Sequence, residues 1–308
     1  MSVLCTDTAK PCAYSPLIRW LTMTSNVNPC RFLAAPQSGP QASEPQSRTT
    51  LILAAHPDDE VIGATSVLTS VGGAAYVVFL TDGAPLDAAL WSSHQQLPRS
   101  DYATLRWRES IAALSLAGVS KERISCLGAV DQESAQAVPL LVRRFATVLA
   151  DVRPDIVISH AYEGGHPDHD SAALVAYAAL AMAQPMPEHW EMTSYHGANG
   201  SFRCGQFIPS PDADPYELAI ELSPEQREFK SEMLLCYESQ RSVLQAFVAS
   251  ADSERFRPAP DYDFALPPHP GKLWYETQGW PMTGSEWRRL ATFFLEQQGL
   301  SRQTLRCA

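Results

Sequence analysis

Two short stretches of this 308-residue chain carry the residue types that hydrolytic chemistry uses. The first, Ala54-Ala55-His56-Pro57-Asp58-Asp59-Glu60, sets three successive carboxylates beside a histidine, directly after an apolar run. The second, Gly164-Gly165-His166-Pro167-Asp168-His169-Asp170, repeats His-Pro-Asp far along the chain, which predicts that the two stretches meet at one site. A divalent metal such as zinc takes imidazole nitrogen and carboxylate oxygen, and a catalytic site keeps three protein ligands with one position open. His56 and Asp59, with one histidine from the second stretch, make such a set. Asp58 adjoins Asp59 and is placed to take a proton from water whose pKa the metal lowers towards about 7. His166 is suited to stabilising a developing oxyanion, and Asp168 to fixing a ring nitrogen of a neighbouring histidine. The helix dipole alone favours acids at a helix start, but it explains neither the His-Pro pair nor its recurrence. Glu60 and Asp170 read as structural on that ground.

Alternating strands and helices must position these residues. Residues 50–55 form an apolar run typical of a buried parallel strand, with a helix over 60–71 behind it. Further strands are expected over 74–80, 124–127 and 155–159, and helices over 101–117, 135–152 and 168–183. This alternation predicts a parallel sheet with right-handed crossovers. Both His-Pro-Asp stretches then follow the carboxyl ends of strands, where open α/β sheets place ligands. Later segments read as strands over 191–195 and 216–222, a long helix over 224–249 capped by Ser223, a covering loop over 255–279 and a last helix over 284–298. Residues 84–100 read as a long polar loop, a frequent home of function.

Composition narrows the partners. A net charge of −11 and a pI near 5.2 argue against nucleic acid, whose phosphates need clustered Lys and Arg. No apolar stretch approaches the 18 or so residues of a membrane span, and the patch around Leu17 to Leu21 is interrupted by Arg19. Seven cysteines without a Cys-x-x-Cys pair indicate neither a disulfide framework nor a thiolate metal site, which fits a reducing, cytoplasmic setting. Cys126 and Cys236 are expected as buried small apolar residues. Residues 1–48 read as a loosely ordered extension, with Met23 an alternative start, and residues 49–308 as one catalytic domain whose last part, 250–308, is an elaboration.

With both motifs intact, the sequence resembles the PIG-L/LmbE metal-dependent N-deacetylases, whose hallmarks are an AHPDD stretch and a later HPDH stretch. The resemblance implies an α/β, Rossmann-like sandwich with a mostly parallel central sheet. It also implies metal ligands His56, Asp59 and His169, Asp58 as general base, and His166 as oxyanion stabiliser or acid. Arg106, in Arg106-Trp107-Arg108-Glu109, resembles a family arginine that reaches substrate, and Asp131 resembles an acid that contacts sugar hydroxyls. Ser239-Gln240 resembles a pair on a late family helix. The cofactor so implied is Zn2+, with Fe2+ or another divalent ion also suited to a two-His, one-carboxylate set. The partner implied is a small N-acetylated sugar conjugate.

Plainer readings compete at several positions. Arg106 and Glu109 are also spaced as an ordinary exposed helix pair, Asp131 can begin a turn, and His160 is a rival ligand or a core histidine. His94, His189 and His269 are expected in solvent, and Trp274, Tyr275, Trp280 and Trp287 in the core. Removal of acetate from an N-acetylated amino sugar is the leading expected function. Hydrolysis of phosphate or carboxylic esters and a non-catalytic sugar- or metal-binding module are the alternatives. A dinucleotide fold lacks its Gly-x-Gly-x-x-Gly turn.

Overall fold

Thr50–Ala54 forms β1, five residues buried on both faces, as a central strand of a sheet covered on two sides must be. A computed structural model describes residues 48–209, 216–250 and 252–300. All but the last residue of the expected extension over 1–48 lies outside the described residues.

From β1 the chain alternates as its pattern predicts. Helix α1 (Asp59–Val71), β2 (Ala75–Pro85), α2 (Arg99–Leu116), β3 (Ile124–Asp131), α3 (Ser134–Val152), β4 (Ile156–His160), α4 (Pro167–Leu180) and β5 (Glu188–Met192) follow in turn. Two short strands, β6 (Tyr195–His196) and β7 (Arg203–Cys204), pair with each other. Then come β8 (Leu218–Glu221), α5 (Pro224–Leu235), α6 (Arg241–Leu244), β9 (Ser253–Pro258), α7 (Trp274–Thr277) and α8 (Gly284–Gln298). The seven-stranded sheet runs β3-β2-β1-β4-β5-β9-β8, its first five strands parallel and its last two joined antiparallel. The expected α/β, mostly parallel architecture is the one observed.

Alternate residues of β1 serve opposite layers. Leu51 and Leu53 pack with α3, α4 and α8, whereas Ile52 and Ala54 pack with α1 and α2. Strand order reverses between β1 and β4, and the chain leaves both strands at their carboxyl ends there, opening the crevice in which such sheets bind ligands.

Four local expectations are corrected. The long helix over 224–249 stops at Leu235, because Tyr237 turns inward and donates its hydroxyl to Glu60 across 2.5 Å. Its expected cap holds: Ser223 and Gln226 form a reciprocal capping box. The covering loop over 255–279 begins as strand β9, paired with β5 and β8. Cys126 is exposed on edge strand β3, where every second residue faces away from the core, and Cys236 is half-buried. His189 is half-buried within β5 beside the Ser159 hydroxyl at 2.8 Å, and His269 is buried, so neither is solvated.

Candidate active site

Tight turns at the ends of β1 and β4 bring both motifs to the crevice. Asp58 precedes α1 with φ 133°, a conformation that costs a non-glycine residue of order 1–3 kcal/mol. Its neighbours hold it there. The Glu60 carboxylate accepts the Asp58 N–H at 3.1 Å, and Tyr237 holds the other Glu60 oxygen. Arg106, from α2, donates to the Pro57 carbonyl at 2.6 Å, the Asp58 carboxylate at 3.1 Å and the Gly83 carbonyl at 3.2 Å. Gly83 has φ 66°, and a Cβ there would lie 2.9 Å from Pro57 and 3.2 Å from the guanidinium, so only glycine admits this approach.

At the second motif, His166 caps α4 and its Nδ1 accepts the Asp168 N–H at 3.1 Å. A neutral ring so bonded carries its proton on Nε2 and is a donor there. Gly165 lets this turn close, since a Cβ would meet the Tyr195 carbonyl oxygen at 2.0 Å.

The histidines and carboxylates interlock. His56 Nδ1 lies 3.2 Å from Asp59 Oδ2, and His169 Nε2 lies 3.3 Å from Asp59 Oδ1. The opposite ring nitrogens are engaged from behind: His56 Nε2 by Asp168 at 3.1 Å and Asp131 at 3.3 Å, His169 Nδ1 by the Ser194 hydroxyl at 3.3 Å. Asp168, fully buried, also accepts the Gln132 N–H at 2.6 Å and the Ser134 hydroxyl.

Among the described residues, two groups have the spacing of metal ligands. In the group His56, Asp131, His166 and Asp168, the Asp168 oxygens and His166 Nδ1 are committed to backbone and serine donors. In the group His56, Asp59 and His169, the ligand atoms face one another while their other sides are held by partners, the arrangement that fixes tautomer and orientation in metal sites. His160 stacks on His169 at 4.0 Å, but its Nε2 accepts the Ala55 N–H at 3.1 Å and lies 3.4 Å from Asp59. It supports the cluster and stands outside both groups.

Burial and charge set the protonation of these groups. Burial raises the Asp58 carboxyl to about 7, with Arg106 pulling it down and Asp59 pushing it up. For Asp59, burial acts upward but His169 and His160 outweigh it, leaving it well below the usual range. Burial depresses His166 well below an ordinary imidazole, and His169 to about 4. In His56 burial is overcome by Asp131, Asp168 and Asp59, which hold the ring well above its ordinary value.

The structure thus gathers His56, Asp58, Asp59, Arg106, Asp131, His166 and His169 around a cavity of about 340 Å³, with Asp168 beneath it. Arg106 and Glu109 are buried, not an exposed pair: Arg106 holds Asp58, and Glu109 accepts the Ser239 N–H and hydroxyl at 2.8 and 2.5 Å. His196 is buried but does not line the cavity, and Tyr162 donates to the Leu266 carbonyl in the core. Trp274 and Trp280, expected in the core, line the cavity, whereas Tyr275 and Trp287 are buried as expected. Ser194, Gln132 and Ser134 escaped sequence reasoning, for no motif marks a side chain that merely holds a ligand. Trp91, Gln240 and Phe247 also line the cavity, and only the Ser-Gln pair had offered a signal.

A mostly parallel α/β sheet with an imidazole–carboxylate cluster at its switch point defines a Rossmann-like protein with a metal-type site. Residues 51–180 match the family described as GlcNAc-PI de-N-acetylase, PIG-L. With both motifs intact, that match falls on the family the sequence resembles. A 1D-myo-inositol 2-acetamido-2-deoxy-alpha-D-glucopyranoside deacetylase 1 from Catenulispora acidiphila is 28% identical over 188 residues, 51% of this chain and 57% of that protein. The zinc-inhibited form of teicoplanin deacetylase Orf2 aligns with a TM-score of 0.54 at 17% identity, over 70% of this chain and 99% of that one. The 4-carboxy-2-hydroxymuconate hydratase GalB from Pseudomonas putida aligns with a TM-score of 0.50 at 16% identity, over 70% and 98%. Those likenesses establish the fold alone, and the hydratase illustrates that a fold does not choose a reaction.

Proposed function

We propose that the protein is a metal-dependent hydrolase that removes the acetyl group from an N-acetylglucosamine-type amino sugar or a conjugate of it. The observation that carries this reading is the placement of Asp58, held by Arg106, directly beside the three-residue set of His56, Asp59 and His169. The family and the curated relative's name support the acyl group and the sugar.

Two imidazoles and one carboxylate, with their outer nitrogens engaged, fit zinc or another borderline divalent ion. An ion held there supplies Lewis-acid polarisation and lowers the pKa of water in its open position. Asp58 takes the proton of the attacking water. Neutral His166, with its Nε2 proton, donates to the oxygen that becomes negative as the acetyl carbon turns tetrahedral. Asp168 and Asp131 keep His56 oriented, and Ser194 does the same for His169. The protonated Asp58 then delivers its proton to the departing amine, which completes the proton balance.

Amine release by the metal-loaded protein from a panel of N-acetylglucosamine conjugates tests the reading. Release that Asp58→Ala loses by roughly a hundredfold or more supports it. No release from any conjugate by protein carrying one bound ion per chain overturns it.

A further inference from the structure

The cavity has two chemically different halves. Its floor holds the site acids and histidines described above. Its walls are largely apolar, built from Trp91 of the 86–98 loop, Val243 and Phe247 around α6, and Phe202, Trp274 and Trp280. The aromatic surface is continuous with the floor. His169 meets Tyr195 at 5.2 Å between ring centroids, Tyr195 meets Phe202 at 5.5 Å and Phe247 at 5.6 Å, and Phe202 meets Trp274 at 5.1 Å. Trp280 stands edge-on to His166 at 4.6 Å. At the mouth, Leu90 and Val243 are 38% and 46% exposed, apolar side chains turned to solvent at the entrance to a polar site.

The walls offer little to an anionic group. Arg106 is the one Lys or Arg among the described residues that line the cavity, and its guanidinium is engaged by Asp58, Pro57 and Gly83. Asp58, Asp59 and Asp131 add negative charge, so a phosphate would find repulsion and no free cation. The polar side chains beyond the floor are few, Gln132, Gln240 and Ser242; Gln240 donates its amide to the Tyr102 hydroxyl at 2.7 Å, while Gln132 Oε1 has no partner. A polyol such as inositol would find few of its hydroxyl groups satisfied along the ring-lined part of the wall.

We propose that the part of the substrate beyond the reacting amino sugar is an uncharged apolar aglycone, aryl or alkyl, seated against Trp91, Val243, Phe202 and Trp274. This rests on the deacetylase reading above for the identity of the reacting group. It separates the chain from the inositol conjugate in the curated relative's name and from a phosphate-bearing one. Val243 and Leu90 are specificity-determining residues on this assignment.

The test uses the metal-loaded full chain and five N-acetylglucosamine conjugates: the 4-methylumbelliferyl and octyl glycosides, the inositol conjugate, N,N'-diacetylchitobiose and the 1-phosphate. Amine release gives kcat/KM for each, and calorimetry gives Kd for the five corresponding amine products. The aryl and octyl compounds are expected to lead the inositol and phosphate compounds by about tenfold or more, mostly through KM. Val243→Asp, a substitution at a half-exposed position, is expected to shrink that lead about tenfold. Equal or better turnover of the inositol, chitobiose or phosphate compound overturns the assignment. If no conjugate is deacetylated, the deacetylase reading fails and Kd alone decides. Tighter binding of the aryl and octyl products, weakened in Val243→Asp, upholds an apolar subsite, and indifference overturns it.

Discussion

Arg106 reaches the Asp58 carboxylate at 3.1 Å and the Pro57 carbonyl at 2.6 Å, so one guanidinium grips both an acid and the backbone that aims it. Each bond is buried, and the Asp58 backbone they restrain sits at φ 133°. We propose on this geometry that Arg106 acts through Asp58 as a positioning residue. Lysine keeps the charge but loses the fork. Arg106→Lys is expected to lower kcat by about tenfold to a hundredfold with KM nearly unchanged and bound metal retained. Steady-state kinetics with metal analysis check this, and a rise in KM at constant kcat would mean substrate contact instead.

Asp168 lies behind His56, 3.1 Å from the nitrogen that faces away from Asp59. Asp168→Asn removes the charge that orients this ring. Zinc affinity, measured by competition with a chelating dye, is expected to fall about 10- to 100-fold. Activity should return when zinc is added in excess. Unchanged affinity would remove Asp168 from the metal's support.

A second charged cluster, away from the cavity, contributes to the dependence of stability on pH. Burial raises the Glu191 carboxyl to about 7, although Arg257 at 3.0 Å and Tyr262 lower it, and burial raises Glu163 to about 8. The unfolded chain releases these protons near pH 4.5, so between that value and about 8 the folded state binds more protons than the unfolded one. These two groups therefore make stability fall as pH rises through that window, with no further change above it. Chemical denaturation of Glu191→Gln across pH 5 to 8 is expected to show a shallower slope than the parent, and an equal slope would refute the assignment.

The 86–98 loop is tied down through Ser239. The Ser92 and Ser93 hydroxyls donate to the Ser239 carbonyl, while Glu109 takes the Ser239 N–H and hydroxyl. Ser239→Ala removes one hydrogen bond to a buried carboxylate, a loss of about 1.5–3 kcal/mol. Faster hydrogen exchange across residues 88–95, with a lower Tm, is the expected outcome.

The site was legible because chemistry fixed its residue types and spacing. His-Pro-Asp recurred, and each copy followed an apolar run that could only be a strand, so topology brought the two together. The alternating core was readable for the same reason: β1 to β4 each contain an apolar run and are separated by helical periods. What escaped lay where tertiary contacts override local pattern. The 224–249 segment has helical composition throughout, yet Tyr237 leaves the helix to reach Glu60. Arg106 and Glu109 share the spacing of a solvent-facing pair, and only the fold shows that their partners are Asp58 and Ser239. The aromatic wall was hidden because Trp274 and Trp280 have the same composition whether they fill a core or face a cavity.

Helix α1, which carries Asp59 into the site, is broken at Ala64 (φ −143°, ψ 26°), and the amides of Thr65 and Ser66 just beyond the break are taken by the Glu254 carboxylate at 2.9 and 2.8 Å. Lys230 neutralises that carboxylate at 2.7 Å and donates to the Ile62 carbonyl on the near side of the break. An early helix is thus completed by two residues synthesised some 160 to 190 positions later. A chain that lacks Lys230 and Glu254 has no such partners for the Ile62 carbonyl and the Thr65 and Ser66 amides. The turn that presents His56, Asp58 and Asp59 is therefore tied to β9 and α5, and its final form waits on long-range packing.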